Sequence, residues 1–213
     1  MSETRTLYYV HDPMCSWCWG FNAAWQSVLK QLPKGVHLET VLGGLAPDSD
    51  VPMPEVTQQF IKKIWKNIES VIPGTQFNYD FWSLCKPRRS TYPSCRAVIA
   101  ARAIDPKLEL EMISAIQRAY YLQAKNPADI AVLIELATTV GLDKTQFSEV
   151  LGSADVELSL DENIRAFRNF AATVGVSGFP SLVLKTHQGC AAIPIDYNNS
   201  SVTLDAIHAH LAS

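Results

Sequence analysis

Leu7-Tyr8-Tyr9-Val10-His11-Asp12-Pro13-Met14-Cys15-Ser16-Trp17-Cys18-Trp19-Gly20-Phe21 decides how this chain of 213 residues is read. Leu7 to His11 is aromatic, β-branched and apolar, and Asp12-Pro13 stops it, which predicts a buried strand. Two cysteines with two residues between them follow at once. Phe21, Ala24, Trp25, Val28, Leu29 and Leu32 then recur at helical spacing until Pro33-Lys34-Gly35 ends the run. Val36 to Leu42 alternates apolar and polar residues and breaks at Gly43-Gly44, a second strand. The order is strand, cysteine pair, helix, strand: a βαβ unit with its cysteines at the start of the first helix.

That placement has a chemical consequence. The thiolate is the reactive form of cysteine, and a helix N-terminus offers unpaired N–H groups and the positive end of the helix dipole. A Cys-x-x-Cys pair there reads as a redox pair. Cys15, at the turn, is expected to attack, and Cys18, inside the helix, to resolve the mixed disulfide. Ser16 and Trp17 between them are candidate substrate contacts, and an aromatic that merely packs at a helix start is an equal reading of Trp17. A zinc site would need two further ligands at similar spacing, and Cys85 and Cys95 are too far apart in sequence to form a second knuckle. They read as buried apolar thiols, although Cys95 opens a helix, where a lowered pKa is conceivable. Cys190 reads as a strand residue, His11 as a packing residue at a strand end with tuning of Cys15 as its rarer alternative, and His187, His208 and His210 as surface residues.

Further along, Pro47 to Pro54 is a proline-rich connector. From Glu55 to about Ala172 the patterns are helical. Val56, Phe60, Ile64, Ile68 and Val71 recur on one expected buried face. Later helices are predicted over Asp129–Val140, Asp143–Leu151 and Leu160–Val174, the last ending at Gly175. Strand character returns at Ser181–Lys185 after Gly178-Phe179-Pro180, with Ala191–Ile195 as its partner. A closing helix is predicted over Thr203–Leu211, capped by Ser201 or Thr203. A proline before a strand leaves neighbouring backbone open, and an X–Pro bond takes the cis form at modest cost; on these residues alone a trans proline that merely opens the strand is the commoner reading.

The formal net charge of −3 and the scattered basic residues, tightest at Lys86, Arg88 and Arg89, do not read as a nucleic-acid footprint. No apolar run has membrane-spanning length. The opening Met1-Ser2-Glu3-Thr4-Arg5 carries no secretory pattern, so a cytoplasmic location is expected. Five cysteines, an odd number, argue against a fully paired disulfide framework.

The block Asp12 to Phe21, the block Gly175-Val176-Ser177-Gly178-Phe179-Pro180-Ser181 and Thr91-Tyr92-Pro93-Ser94-Cys95-Arg96-Ala97 together resemble the DsbA-like branch of the thioredoxin superfamily, in particular its cytoplasmic FrnE and protein-disulfide-isomerase types. The resemblance covers nearly the whole chain. It implies an α/β protein: a thioredoxin fold with an inserted helical domain. The expected division is a discontinuous thioredoxin-like domain over 1–50 and 173–213 and a helical insert over 51–172, its last helix packing on the thioredoxin sheet. The family also implies a cis proline facing the cysteine pair, which falls on Pro180, with Phe179 presenting backbone to substrate. The implied enzyme is a protein-disulfide oxidoreductase or isomerase acting on protein or peptide thiols, with glutathione as a further candidate partner and no metal or organic cofactor. Periplasmic DsbA has a histidine between its cysteines, whereas Ser16-Trp17 carries no charge. On a range from about −270 mV for thioredoxin to about −120 mV for DsbA, this pair is expected nearer the reducing end. Two rival readings share the architecture. One is a glutathione-dependent transferase or isomerase of the kappa or 2-hydroxychromene-2-carboxylate type, which typically has serine at the first cysteine position. The other is a thioredoxin-like chaperone. Sequence sets neither oligomeric state nor direction of exchange.

Overall fold

The structure, a computed structural model, describes residues 5–212. The opening Met1-Ser2-Glu3-Thr4, read above for a leader, lies outside the described residues. Among the described residues, four strands form one sheet in the order β2-β1-β3-β4. Strand β1 (Arg5–His11) pairs in parallel with β2 (Val36–Leu42), and α1 (Ser16–Lys30) makes the crossover between them. Strand β3 (Ser181–Thr186) runs antiparallel to β1, with Val10 opposite Ser181, and β4 (Gly189–Ile193) closes the sheet antiparallel to β3. A long excursion separates β2 from β3: α2 (Glu55–Val71), the short α3 (Phe81–Leu84), α4 (Tyr92–Ile104), α5 (Glu109–Tyr121), α6 (Ile130–Thr139), α7 (Lys144–Leu151) and α8 (Ala154–Val174). Helix α9 (Ser200–Ala212) follows β4. This is the α/β architecture with a helical insertion that the sequence leads one to expect.

Alternation along the strands sorts the sheet residues. Leu7 and Tyr9 of β1 join Leu182 and Leu184 of β3 in a core completed by Phe21, Trp25 and Val28 of α1 and Leu204 and Ile207 of α9. Tyr8 points to the other face and meets Phe170 of α8 at 4.9 Å between ring centres. Helix α8 is tied to the sheet by Asn163, whose Oδ1 accepts the Leu42 N–H at 3.0 Å. A second core fills the helical excursion, including Met112, Ile116, Leu133 and Phe147.

Three details differ from the sequence reading. Helix α8 begins at Ala154, six residues early, because the Ser153 hydroxyl accepts the Val156 N–H and caps it there. Helix α9 begins at Ser200, so Ser201 and Thr203 lie inside it, and the buried Thr203 hydroxyl donates instead to the Pro194 carbonyl. The third concerns α2, whose buried stripe is Ile61, Trp65 and Ile68, while Val56 and Phe60 are 76% and 63% exposed. The largest side chain on the helix settles its rotation. Trp65 is fully buried, lies 4.7 Å from the Phe77 ring and 5.0 Å from Trp82, and donates its indole N–H to Ser16 Oγ at 2.9 Å.

Trp65 therefore joins the helical insertion to the residue after Cys15. Trp65→Ala is expected to cost about 3–5 kcal/mol, the range for truncating a buried aromatic. Urea unfolding checks this, and a loss below about 1 kcal/mol contradicts the packing described here.

Candidate active site

The cysteine pair sits where β1 hands over to α1. The Cys15 N–H donates to the Asp12 carbonyl at 3.0 Å, closing a turn through Pro13 and Met14. Cys15 is the N-cap residue of α1, in extended conformation, and Cys18 lies in the first turn. Both are free thiols. Cys18 is completely buried, and Cys15 is only 8% exposed, which is less than an open turn implies. The covering comes from the far end of the chain: the Phe179–Pro180 peptide bond is cis, and the Cys15 thiol donates to the Phe179 carbonyl at 3.5 Å. Pro180 is buried, while Ser16, Trp17 and Phe179 are half-buried. The structure thus brings Cys15, Ser16, Trp17, Phe179 and Pro180 to one place from opposite ends of the chain.

The two thiols are electrostatically unequal. A hydrogen bond from Cys18 and the backbone N–H groups of Cys18 and Trp17 hold the Cys15 thiol below its ordinary value, against the opposing effects of burial and of the Asp12 charge. Burial drives Cys18 well above its ordinary value, and its bond to Cys15 adds to the effect. A negative sulfur is therefore favoured at Cys15, the end that meets the cavity, and the proton stays on Cys18.

A cavity of about 260 Å³ opens beside Cys15. Met53, Phe60, Ile61 and Ile64 give it an apolar wall, with Trp17 and Tyr120 alongside and Ser90, Thr91, Arg88 and Arg89 at a polar side. Arg88 is held by the Ala128 carbonyl at 2.8 Å and by Asp129 at 2.6 Å. Arg89 is exposed. Trp17 packs on Tyr197 with ring centres 5.3 Å apart.

The remaining cysteines lie outside the reacting pair. Cys190 is an exposed residue of β4. Cys85 is half-buried and donates to the Ala124 carbonyl at 3.0 Å. Cys95 is fully buried and points at Asp12 Oδ2, 3.6 Å away. The lowered pKa considered for Cys95 at its helix start is not found. Burial and the neighbouring Asp12 carboxylate push it well up, outweighing the helix terminus. No group of three or more metal-ligating side chains occurs among the described residues. His187, His208 and His210 are exposed.

His11 packs without a hydrogen-bond partner on either ring nitrogen, stacked on Tyr9 at 4.6 Å. Burial, helped by the charge of Arg102, lowers its pKa from 6.5 to about 3. The unfolded chain protonates this imidazole below 6.5 and the native state does so only near 3, so stability is complete above 6.5 and drains as the pH falls between the two. The expected loss approaches about 1.4 kcal/mol for each pH unit in that window. Urea unfolding at neutral pH and at about pH 4 measures it. His11→Phe, which keeps the stacking, is expected to flatten the dependence, and an equally steep fall in that variant rules His11 out as the cause.

Sequence reading left several neighbours of the pair without a role: Asp12, Gly43, Trp65 and Thr91. In the sequence Asp12-Pro13 is a strand stop, Gly43-Gly44 a strand break, and Thr91 part of a segment shared with the family it resembles. No local pattern shows that they meet.

Comparison with known proteins agrees with this geometry. The thioredoxin family pattern matches residues 8–193. Among solved structures, a proposed protein disulfide isomerase from Nitrosomonas europaea superposes with a TM-score of 0.85 at 25% identity, covering 99% of this chain and 98% of that one. The cytosolic disulfide reductase DsbM from Pseudomonas aeruginosa gives 0.77 at 22% identity over 97% of this chain and 98% of its own. Its structure with GSH gives 0.74 at 22% identity, over 98% and 100%. A curated relative, the ClpXP adapter protein SpxH of Bacillus subtilis, is 25% identical over 178 residues, 83% of this chain, and the chain spans only 56% of that protein's length. With most of its length matched by the family pattern and its fold, helical insertion included, shared with these solved structures, this chain belongs to the thioredoxin family.

Proposed function

We propose that this protein is a thiol–disulfide oxidoreductase that exchanges disulfides with protein or peptide substrates through Cys15 and Cys18. The observation that carries the reading is the Cys15 sulfur at the start of α1, 3.5 Å from the Phe179 carbonyl, with Cys18 buried in the same turn. In the reducing direction the Cys15 thiolate attacks one sulfur of a substrate disulfide. The S–S bond breaks, and the other substrate sulfur leaves as a thiolate and takes up a proton. Cys18 then loses its proton and attacks Cys15 Sγ, which releases the second substrate thiol. Two electrons pass from the pair to the substrate, one of the two protons taken up comes from Cys18 and the other from solvent, and the reverse sequence oxidises a substrate dithiol. Phe179 and Pro180 hold the substrate backbone, and Ser16 and Trp17 border the reacting sulfur.

Glutathione is a second substrate candidate. The exposed Arg89 at the cavity offers a partner for a carboxylate, and a neighbouring fold, DsbM, has been solved with GSH. The division into residues 1–50 with 173–213 and 51–172 belongs to the same proposal, with α8 packed on the sheet. So does a cytoplasmic location. It draws on the cytosolic designation of DsbM and is compatible with the finding that no described helix is long and apolar enough to cross a membrane.

The test is a titration of the pair against glutathione redox buffers, read by mass after alkylation of free thiols. A reversible two-electron transition confined to Cys15 and Cys18 supports the reading. Failure of these two cysteines to form a disulfide overturns it.

A further inference from the structure

Asp12 is a fully buried carboxylate three residues before the reacting cysteine. Its side chain is engaged from three separate segments. Oδ1 accepts the Met14 N–H at 2.8 Å within the active turn itself. Oδ2 accepts the Leu45 N–H at 2.7 Å, from the connector after β2, and the Thr91 hydroxyl at 2.6 Å, from the start of α4. The Cys95 thiol reaches the same oxygen at 3.6 Å, one turn further along α4. The backbone of Asp12 faces the pair as well: its carbonyl accepts the Cys15 N–H, and its N–H is directed to the Cys18 sulfur.

Two of the four groups at the carboxylate are backbone N–H groups, which can only donate, and the thiol and hydroxyl donate beside them. A neutral carboxyl would have to spend one oxygen as a donor in a shell of donors. The shell therefore favours the ionised form, and it opposes the burial that pushes the Asp12 pKa up. A buried negative charge has its largest effect on other charges that form nearby at low dielectric. It disfavours a thiolate on either cysteine, and it raises both. A disulfide carries no charge and is indifferent to it.

We infer that Asp12 is a positioning residue that sets the reducing strength of the Cys15–Cys18 pair: its carboxylate ties the active turn to the β2 connector and to α4, and its fixed charge makes the reduced pair less stable relative to the disulfide. The inference rests on the dithiol reading above and adds the residue that tunes it. It also gives Thr91 and Cys95 a task, since they help to keep that carboxylate ionised in the interior.

The experiment is Asp12→Asn, which keeps the shape and removes the charge. Two quantities are followed: the ultraviolet absorbance of the Cys15 thiolate against pH, and the equilibrium with glutathione. The Cys15 titration is expected to move to lower pH, and the equilibrium to shift about tenfold towards the dithiol, which is about 30 mV towards the oxidising end for a two-electron couple. Thr91→Val and Cys95→Ala are expected to shift both quantities the same way by less. A folded Asp12→Asn protein with wild-type thiolate titration and wild-type potential overturns the inference and leaves Asp12 as scaffold alone. Should Asp12→Asn not fold, wild-type values in both of the other variants overturn it. If the unsubstituted protein forms no Cys15–Cys18 disulfide, it is the dithiol reading that has failed.

Discussion

Cys18→Ala protein, mixed with a disulfide-bonded peptide or with oxidised glutathione, is expected to accumulate as a covalent adduct on Cys15. Cys15 keeps its backbone N–H groups and its helix terminus in that variant, so attack still forms the mixed disulfide. What is lost is the thiol held within the same helical turn. A positioned internal group outcompetes a dissolved one by a very large factor, and effective molarities reach about 10⁵ M or more. Turnover should therefore fall by on the order of 10³-fold while single attack persists. Part of the Cys15 activation comes from the Cys18 thiol, so the attack itself is expected to slow modestly and its pH midpoint to rise. Cys15→Ser should form no adduct at all. Peptide mapping of the trapped species decides the assignment: an adduct on Cys85 or the exposed Cys190, with Cys15 free, would remove Cys15 from the mechanism.

Gly43→Ala is also expected to damage exchange, through Phe179. A β-carbon built at Gly43 would sit 1.8 Å from Cε1 and 2.1 Å from Cζ of Phe179. The Phe179 ring has little room to retreat, because Phe167 of α8 packs on it with ring centres 4.8 Å apart. Gly43 is itself held, its N–H donating to the His11 carbonyl at 2.8 Å. The added methyl must then displace the Phe179 ring, and the displacement is expected to carry over to the carbonyl that receives the Cys15 thiol. Displacing a positioning group by about 1 Å is enough for a loss near 10²-fold, and overpacking adds about 1–3 kcal/mol of destabilisation. The measurement is the rate of disulfide exchange together with urea unfolding. Phe179→Ala removes the ring, so the double variant should be no worse than Phe179→Ala alone. Fully additive losses would show that the collision is not the cause.

The contrast between these two experiments reflects what could be read in the sequence. Cys15 and Cys18 announce themselves by spacing and by the strand and helix around them. Gly43 reads only as the end of a strand, and its reason for being glycine arrives from a residue more than 130 positions later. Helix α2 shows a different kind of limit. Its apolar residues Val56, Phe60, Ile61, Ile64, Trp65, Ile68 and Val71 cover so much of the circumference that periodicity admits more than one buried stripe. The structure buries Ile61, Trp65 and Ile68 and leaves Phe60 and Ile64 beside the cavity, because Trp65 needs both a deep pocket and a hydrogen-bond partner, and Ser16 supplies the second. Asp12 shows a third. Next to a proline it is a good strand stop, and only the approach of Leu45, Thr91 and Cys95 makes it a buried charge beside the thiols.

By itself the sequence determined the βαβ start, the cysteine pair at the helix terminus, the helical excursion, and the return to a proline-led strand. Each of these is written in short-range patterns: alternation, helical periodicity, and breakers over a few residues. Tertiary structure decided that Phe179 covers Cys15, that α2 turns Trp65 inward, that His11 is neutral and Cys95 protonated, and that Asp12 lies among donors. These depend on burial and on distances between residues far apart in the chain. Solvation and Coulomb energies follow spatial separation, and a linear pattern does not contain it.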